Sequence, residues 1–221
     1  MIILVQRKVF ENELTRLHNE ILLMGSIVED MLRDSIDSLS NRDKDLAVEV
    51  IKRDDMVDGK EIEIQELCVL IIATQQPVAS DVRRVTSAFK IINNLERIGD
   101  HAVNIANVTK DLLDKKINLK EINEIKRMSE IVIELVKKCI DSYINLDIRQ
   151  VEEILALEEE VDNAHHNLRR DLVQRMSCDA NMIEQYSKFI FVSSHLERVG
   201  DHAINIFESV NYMVTGEYKD F

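Results

Sequence analysis

The chain has 221 residues, 45% of them hydrophobic and 31% charged, with five Gly, one Pro and no Trp. So few turn-forming residues argue against an all-β fold and for long helices with solvated faces. The net charge of −13 argues against nucleic acid as a partner, because phosphate binding needs a basic footprint; it suits cations or basic protein surfaces.

In chain order, the helical pattern predicts six helices, over roughly 8–40, 43–75, 78–114, 119–146, 148–177 and 181–214. The start, Met1-Ile-Ile-Leu-Val, lacks the basic n-region and the longer apolar core of a signal peptide. The first break falls at Ser40–Asp43. The second helix carries the longest apolar run, Leu67–Ala73, far short of a membrane span. Pro77 is expected to stop that helix and open the third. Breaks near Lys115–Leu119, Asn145–Asp147 and Ser177–Asn181 divide the rest. Three cysteines, Cys68, Cys139 and Cys178, form no close pair and fit buried free thiols in a reducing cytosol. The protein is expected to be cytoplasmic.

The halves are copies of each other. Residues 95–105 and 196–206 agree at nine of eleven positions, and both differences are Ile/Val exchanges. The shared string includes Glu, Arg, Asp, His and Asn, which helix periodicity alone does not produce. Met24–Ser38 aligns with Met128–Ser142 at an offset of 104, whereas the opening string is offset by 101. About three residues are therefore missing from the second copy, near residue 180. Short connections make neighbouring helices antiparallel. The fold is predicted as all-α: two tandem three-helix bundles, in domains 1–115 and 116–221.

Acidic pairs recur in both copies: Asp54/Asp58, Glu96/Asp100, Glu158/Asp162 and Glu197/Asp201. Residues four apart share a helix face, so each pair presents two carboxylates side by side. In a chain with 41 acids such a spacing means little by itself. However, the centre of Asp54/Asp58 lies 21 residues before Pro77 and the centre of Glu96/Asp100 lies 21 after it. In the second copy Glu160 lies 20 before Ala180 and Val199 lies 19 after. Antiparallel helices leaving one turn reach the same height after equal lengths, so four carboxylates should converge in each bundle.

Glu96 also continues the seam Val82, Val85, Phe89, Ile92, and Gly99 follows one turn on. In the second copy Glu197 and Gly200 follow Tyr186, Ile190 and Ser193. The glycines suggest room for a close approach. Facing carboxylates repel unless protons or cations neutralise them. All-oxygen ligands suit hard ions such as Mg²⁺ or Mn²⁺, and bridging carboxylates also hold iron or zinc. Glu61 and His165, at equivalent positions, are candidate extra ligands. His101 and His202 are turned about 100° from the neighbouring Asp. They are read as supporting or packing residues rather than ligands. Asn104 and Asn205 are candidates for orienting a carboxylate or a bound water. Arg97 and Arg198 are expected to pair with acids.

Together these motifs resemble the PhoU family. Gln75-Gln-Pro-Val-Ala-Ser-Asp-Val-Arg83 and Leu17–Leu32 are also similar to it, so the resemblance spans about residues 10–214. It implies an accessory protein that acts between the phosphate ABC transporter's ATPase subunit and a sensor histidine kinase. Such a protein represses phosphate uptake and the phosphate-starvation response. It also implies a homodimer, with membrane association only through partners. Metal binding carries to Asp54, Asp58, Glu96, Asp100, Glu158, Asp162, Glu197 and Asp201, as multinuclear iron or zinc clusters in some members. Asp54 departs from the Glu of the family pattern, and the Pro turn is absent from the second copy.

Three alternatives compete with that reading. A carboxylate-bridged metalloenzyme is disfavoured: neither Glu96 nor Glu197 has a His three residues on, and no catalytic triad or phosphate loop stands out. A purely structural scaffold with solvated acids would bind no metal. A regulator of another ion transporter would keep the architecture and change the partner.

Overall fold

The structure, a computed structural model, describes residues 2–75, 77–113 and 119–221, and all their side chains except those of 2–7, 119 and 120. Six long helices follow one another: α1 (Ile2–Asn41), α2 (Lys44–Gln75), α3 (Ala79–Leu112), α4 (Leu119–Asn145), α5 (Val151–Cys178) and α6 (Ile183–Thr215). A short 3-10 turn, Ala180–Met182, precedes α6. No strand occurs among the described residues, and no helix is long and apolar enough to cross a membrane.

Each helix forms for a reason legible in its apolar spacing. In α4, Ile122, Ile125, Met128, Val132, Leu135, Cys139 and Tyr143 are all buried and step by three or four residues along one face. In α3 the buried set is wider and includes Ser87, Ala88, Gly99, Ala102 and Ala106. Small residues on a second face let another helix pack there. Burial of each large aliphatic side chain contributes about 1.5–3 kcal/mol.

The two halves are not separate bodies. α3 packs most extensively against α6, and α1 also meets α4, so one buried cluster runs through both halves. Within a half, α1, α2 and α3 pack on one another, as do α4, α5 and α6. Among the described residues, α2 touches only α1 and α3. α5 touches only α4, α6 and the 3-10 turn. The layout is therefore central α3 and α6 with α2 and α5 outermost.

The breaks repeat in detail. α1 and α4 end with Arg42 (φ 58°) and Leu146 (φ 49°), equivalent residues that both adopt the left-handed conformation. The next amide folds back each time: Asp43 N–H donates to Ser38 O at 2.9 Å and Asp147 N–H to Ser142 O at 3.1 Å. This is the Schellman closure, usually built on Gly. The Asp43 carboxylate then accepts from Leu46 N at 3.0 Å and caps α2.

Three boundaries differ from the sequence reading. α1 begins at Ile2 rather than near residue 8, since no Gly or Pro interrupts the chain before Gly25. α5 begins at Val151 rather than 148, because the Arg149 guanidinium donates twice to the Asp147 carboxylate (2.9 and 2.6 Å) and holds the chain in a turn. α3 begins at Ala79, so Pro77 lies in the turn and not in the helix. Thr74 corresponds to Cys178 and Val78 to Asp179, so Gln75-Gln76-Pro77 is the segment with no counterpart in the second half. There Asp179 makes the turn alone, its carboxylate accepting from Asn181 N at 3.0 Å.

Candidate metal centre

α2 and α3 lie antiparallel and in contact, which brings the acids of the first half together. Glu96 is mostly buried, with 16% of its side chain exposed, whereas Asp100 is 39% exposed. Burial pushes the Glu96 carboxyl up to about 7; the charges of Asp100, Glu61 and Asp58 push the same way and Arg97 opposes them. Asp54, half-buried, is pushed up to about 6 by burial, then by Asp58, Asp100 and Asp55. Like charges from two helices thus act on one another across the α2–α3 seam. Glu61 stands inside this field.

The second half repeats the arrangement between α5 and α6. Burial raises Glu158, and the charges of Asp162, Asp201 and Glu159 add to it. Asp201 is raised by burial, then by Glu197 and Asp162, with Arg198 opposing. In each half the charges of the two pairs thus act on one another across the helix seam.

One arginine is built into the first cluster. Arg97 Nη1 donates to Asp100 Oδ2 at 3.1 Å, and its Nε lies 3.3 Å from Glu96 Oε2. The latter contact lacks hydrogen-bond alignment, so Glu96 Oε2 is a buried carboxylate oxygen with no hydrogen-bond partner. A buried acceptor in that state costs about 1–3 kcal/mol, more if charged. Hard oxygen donors, mutual repulsion and an unpartnered buried oxygen fit a cation. Among the described residues, no three His, Cys, Asp or Glu side chains already stand close enough to chelate one.

The glycines do not leave room for a bulky group. A Cβ at Gly99 would lie 3.5 Å from Val57 Cγ1 and 3.9 Å from Asp54 Oδ1. At Gly200 it would lie 3.5 Å from Val161 Cγ1. Both are ordinary contacts, so α2 and α5 already fill the space.

The other sequence candidates fall elsewhere. His165 is buried, and its Nδ1 sits 3.0 Å from Ser193 Oγ of α6, which occupies that nitrogen. Asn104 donates to the backbone carbonyl of Asp100 at 2.8 Å rather than to a carboxylate. Asn205 is exposed, one turn beyond Asp201.

His101 and His202 lie between the halves. His101 Nδ1 is 2.9 Å from His195 Nδ1, and His202 Nδ1 donates to Asn94 Oδ1 at 2.9 Å. His195 and Asn94 are themselves equivalent positions, each seven residues before the motif histidine of its own helix. The two contacts are thus reciprocal across α3 and α6. Phe191 stacks edge-on against His195 with centroids 4.2 Å apart. Burial pushes His101 down to about 3, helped by His195 and His202; His195 is pushed down to about 4 by burial and Arg198. These rings are neutral packing groups. The sequence reading missed His195 and Asn94. Their signal was the seven-residue spacing, two turns along one face.

Comparison with known proteins agrees with this architecture. The family model of the PhoU domain matches twice, over residues 21–109 and 125–210. A phosphate-specific transport system accessory protein PhoU homolog of Clostridium acetobutylicum is 36% identical over 215 residues, covering 97% of this chain and 98% of that one. A homolog from Thermotoga maritima is 33% identical over 213 residues, covering 96% and 92%. The crystal structure of PhoU from Pseudomonas aeruginosa superposes with a TM-score of 0.90 at 33% identity, covering 94% of this chain and all of that one. That of the phosphate transport system regulatory protein PhoU from Streptococcus pneumoniae gives 0.85 at 22% identity, a likeness of fold. With both repeats matched and relatives above 30% identity over nearly its whole length, the chain belongs to the PhoU family.

Proposed function

We propose that this protein is a cytoplasmic accessory regulator of phosphate transport, restraining phosphate uptake and the phosphate-starvation response. The observation that carries this is near-complete alignment with relatives named as accessory proteins of the phosphate-specific transport system. Its partners are the transporter's ATPase subunit and a sensor histidine kinase, and it reaches the membrane only through them. It works as a homodimer and has no catalytic role.

The acidic clusters are the control elements of this reading. Asp54, Asp58, Glu96 and Asp100 hold a metal ion in the first half, with Glu61 beside them; Glu158, Asp162, Glu197 and Asp201 do so in the second. Fe, Zn, Mg and Mn all accept carboxylate oxygens. The bound ion supplies positive charge that offsets the repulsion between the paired carboxylates. Glu96 Oε2 is the natural first donor, being buried and without a hydrogen bond, with Arg97 Nε 3.3 Å away as its present counter-charge. Asp58 and Asp162, exposed one turn from Asp54 and Glu158, would complete each set on turning inward. α2 is thereby clamped to α3, and α5 to α6, fixing the surface offered to a partner.

Two measurements test this. Protein tagged in its native host and recovered under high phosphate should bring down a phosphate-transporter ATPase or a sensor kinase; recovery of another ion transporter's subunits instead would reassign the function. Asp100→Ala with Asp201→Ala should reduce bound metal and weaken repression of phosphate genes. If that variant loses its metal and still represses fully, the clusters are not part of the switch.

A further inference from the structure

The outer face of α2 is open, because α2 contacts only α1 and α3 among the described elements. On that face Met56, Ile62, Val69 and Leu70 are exposed by 56, 58, 59 and 50%. Gly59 and Ala73 are exposed between and beyond them. Met56, Gly59 and Ile62 step by three along one face, and Val69, Leu70 and Ala73 continue that face beyond the exposed Glu66, over about 26 Å in all. Single exposed apolar residues are ordinary; several gathered on one helix face, with an acid set among them, mark a contact surface.

The second half is an internal control. α5 occupies the same outer place in its bundle, with the same positions exposed. Where α2 has Met56, Gly59, Ile62 and Leu70, α5 has Glu160, Asn163, His166 and Gln174. Only Val69 finds an apolar counterpart, Val173. The fold therefore does not require an apolar outer face.

Charge identifies the occupant. Between residues 55 and 74 the exposed α2 residues include Asp55, Asp58, Glu63 and Glu66 and no Lys or Arg. The only base in that span, Lys60, is turned onto Glu20 and Glu63 at 2.7 and 2.8 Å. A second copy docking through this same face would set Glu63 and Glu66 against the same acids. An anionic membrane would be repelled for the same reason.

We propose that the outer face of α2 docks an amphipathic helix of a partner protein, whose apolar side meets the stripe and whose Lys or Arg flanks meet its acids. The docking face is one-sided, present on the first repeat and absent from the second.

A labelled 18-residue model helix with Leu on one face and Lys on its flanks is the probe, titrated against the full chain by fluorescence anisotropy. Saturable binding below roughly 100 μM is expected at low salt. Ile62→Gln, Val69→Gln and Leu70→Gln together should weaken it at least about tenfold, leaving the helical circular dichroism unchanged. Val173→Gln on α5 should leave affinity unchanged. Asp55→Asn with Glu66→Gln should weaken binding and flatten its salt dependence. Equal binding by the triple variant, or none by the wild type, overturns the proposal. A dimer seen by light scattering that the triple variant dissolves would give the face to a second copy. Adsorption to phosphatidylglycerol vesicles that the triple variant abolishes would give it to a membrane. Either result overturns the proposal.

Discussion

Glu96 carries a cost to the fold at the centre of the candidate metal site. Its carboxyl titrates near 7 in the fold against an ordinary 4.5, mainly through burial. A raised acid favours the folded state most when both states are protonated, below about pH 4. That contribution is lost as pH rises through the folded value. Metal-free protein should therefore lose stability between about pH 4 and 7, read as a falling melting temperature. Glu96→Gln should flatten that fall and gain about 1–2 kcal/mol at pH 8 after solvent screening. A pH profile identical to wild type would refute the assignment. The acids were legible in the sequence because i, i+4 spacing and equal distance from a turn fix both face and height. The bond partners of His101 and His202 were not, because they depend on which helices meet across the halves. Leu146 was equally hidden, since nothing in its side chain announces a positive φ. It stands at 49° where Gly is the usual residue, so Leu146→Gly should stabilise by about 1 kcal/mol, or about 2–4 °C in melting temperature.

Among the elements, the α2–α3 and α5–α6 pairs come from the apolar pattern and the short turns between them. Their lengths were legible within a few residues, because apolar periodicity stops where a helix does. Ends set by side-chain forks, such as Asp147 with Arg149, were not. The helix glycines were misread as clearance. Since a Cβ at Gly99 or Gly200 meets its neighbour at ordinary contact distance, Ala should be accepted at both. Each Gly→Ala should gain up to about 1 kcal/mol of helix stability in thermal melts. Gly25 is the contrast: a Cβ there would lie 3.2 Å from Ile140 Cδ1, where α1 meets α4. Gly25→Ala should gain less than either, and a gain equal to theirs would mean that the α1–α4 contact yields freely.

For the molecule as a whole, the duplication predicted six helices and two bundles but not how they share a core. The wide buried set of α3 was the available sign, because α3 packs on α1, α2 and α6 together. Because α3–α6 is the largest contact, heating the intact chain should give one cooperative transition by calorimetry and circular dichroism. Residues 1–115 made alone should expose His101 and Asn94, which meet His195 and His202 of α6, and lose that cooperativity. Two resolved transitions in the intact chain would mean that the repeats are independent.

The reciprocal contacts His101–His195 and His202–Asn94 have a further consequence. Two identical single repeats joined this way would form a symmetric pair, obliged to present every surface twice. Joined in one polypeptide, the copies are released from that obligation, and the unlike partners His195 and Asn94 already mark the departure from equality. α2 and α5 carry the departure to the outside of the molecule. The chain thus has a valency of one toward whatever its apolar stripe receives, while the acidic pairs stay on both repeats.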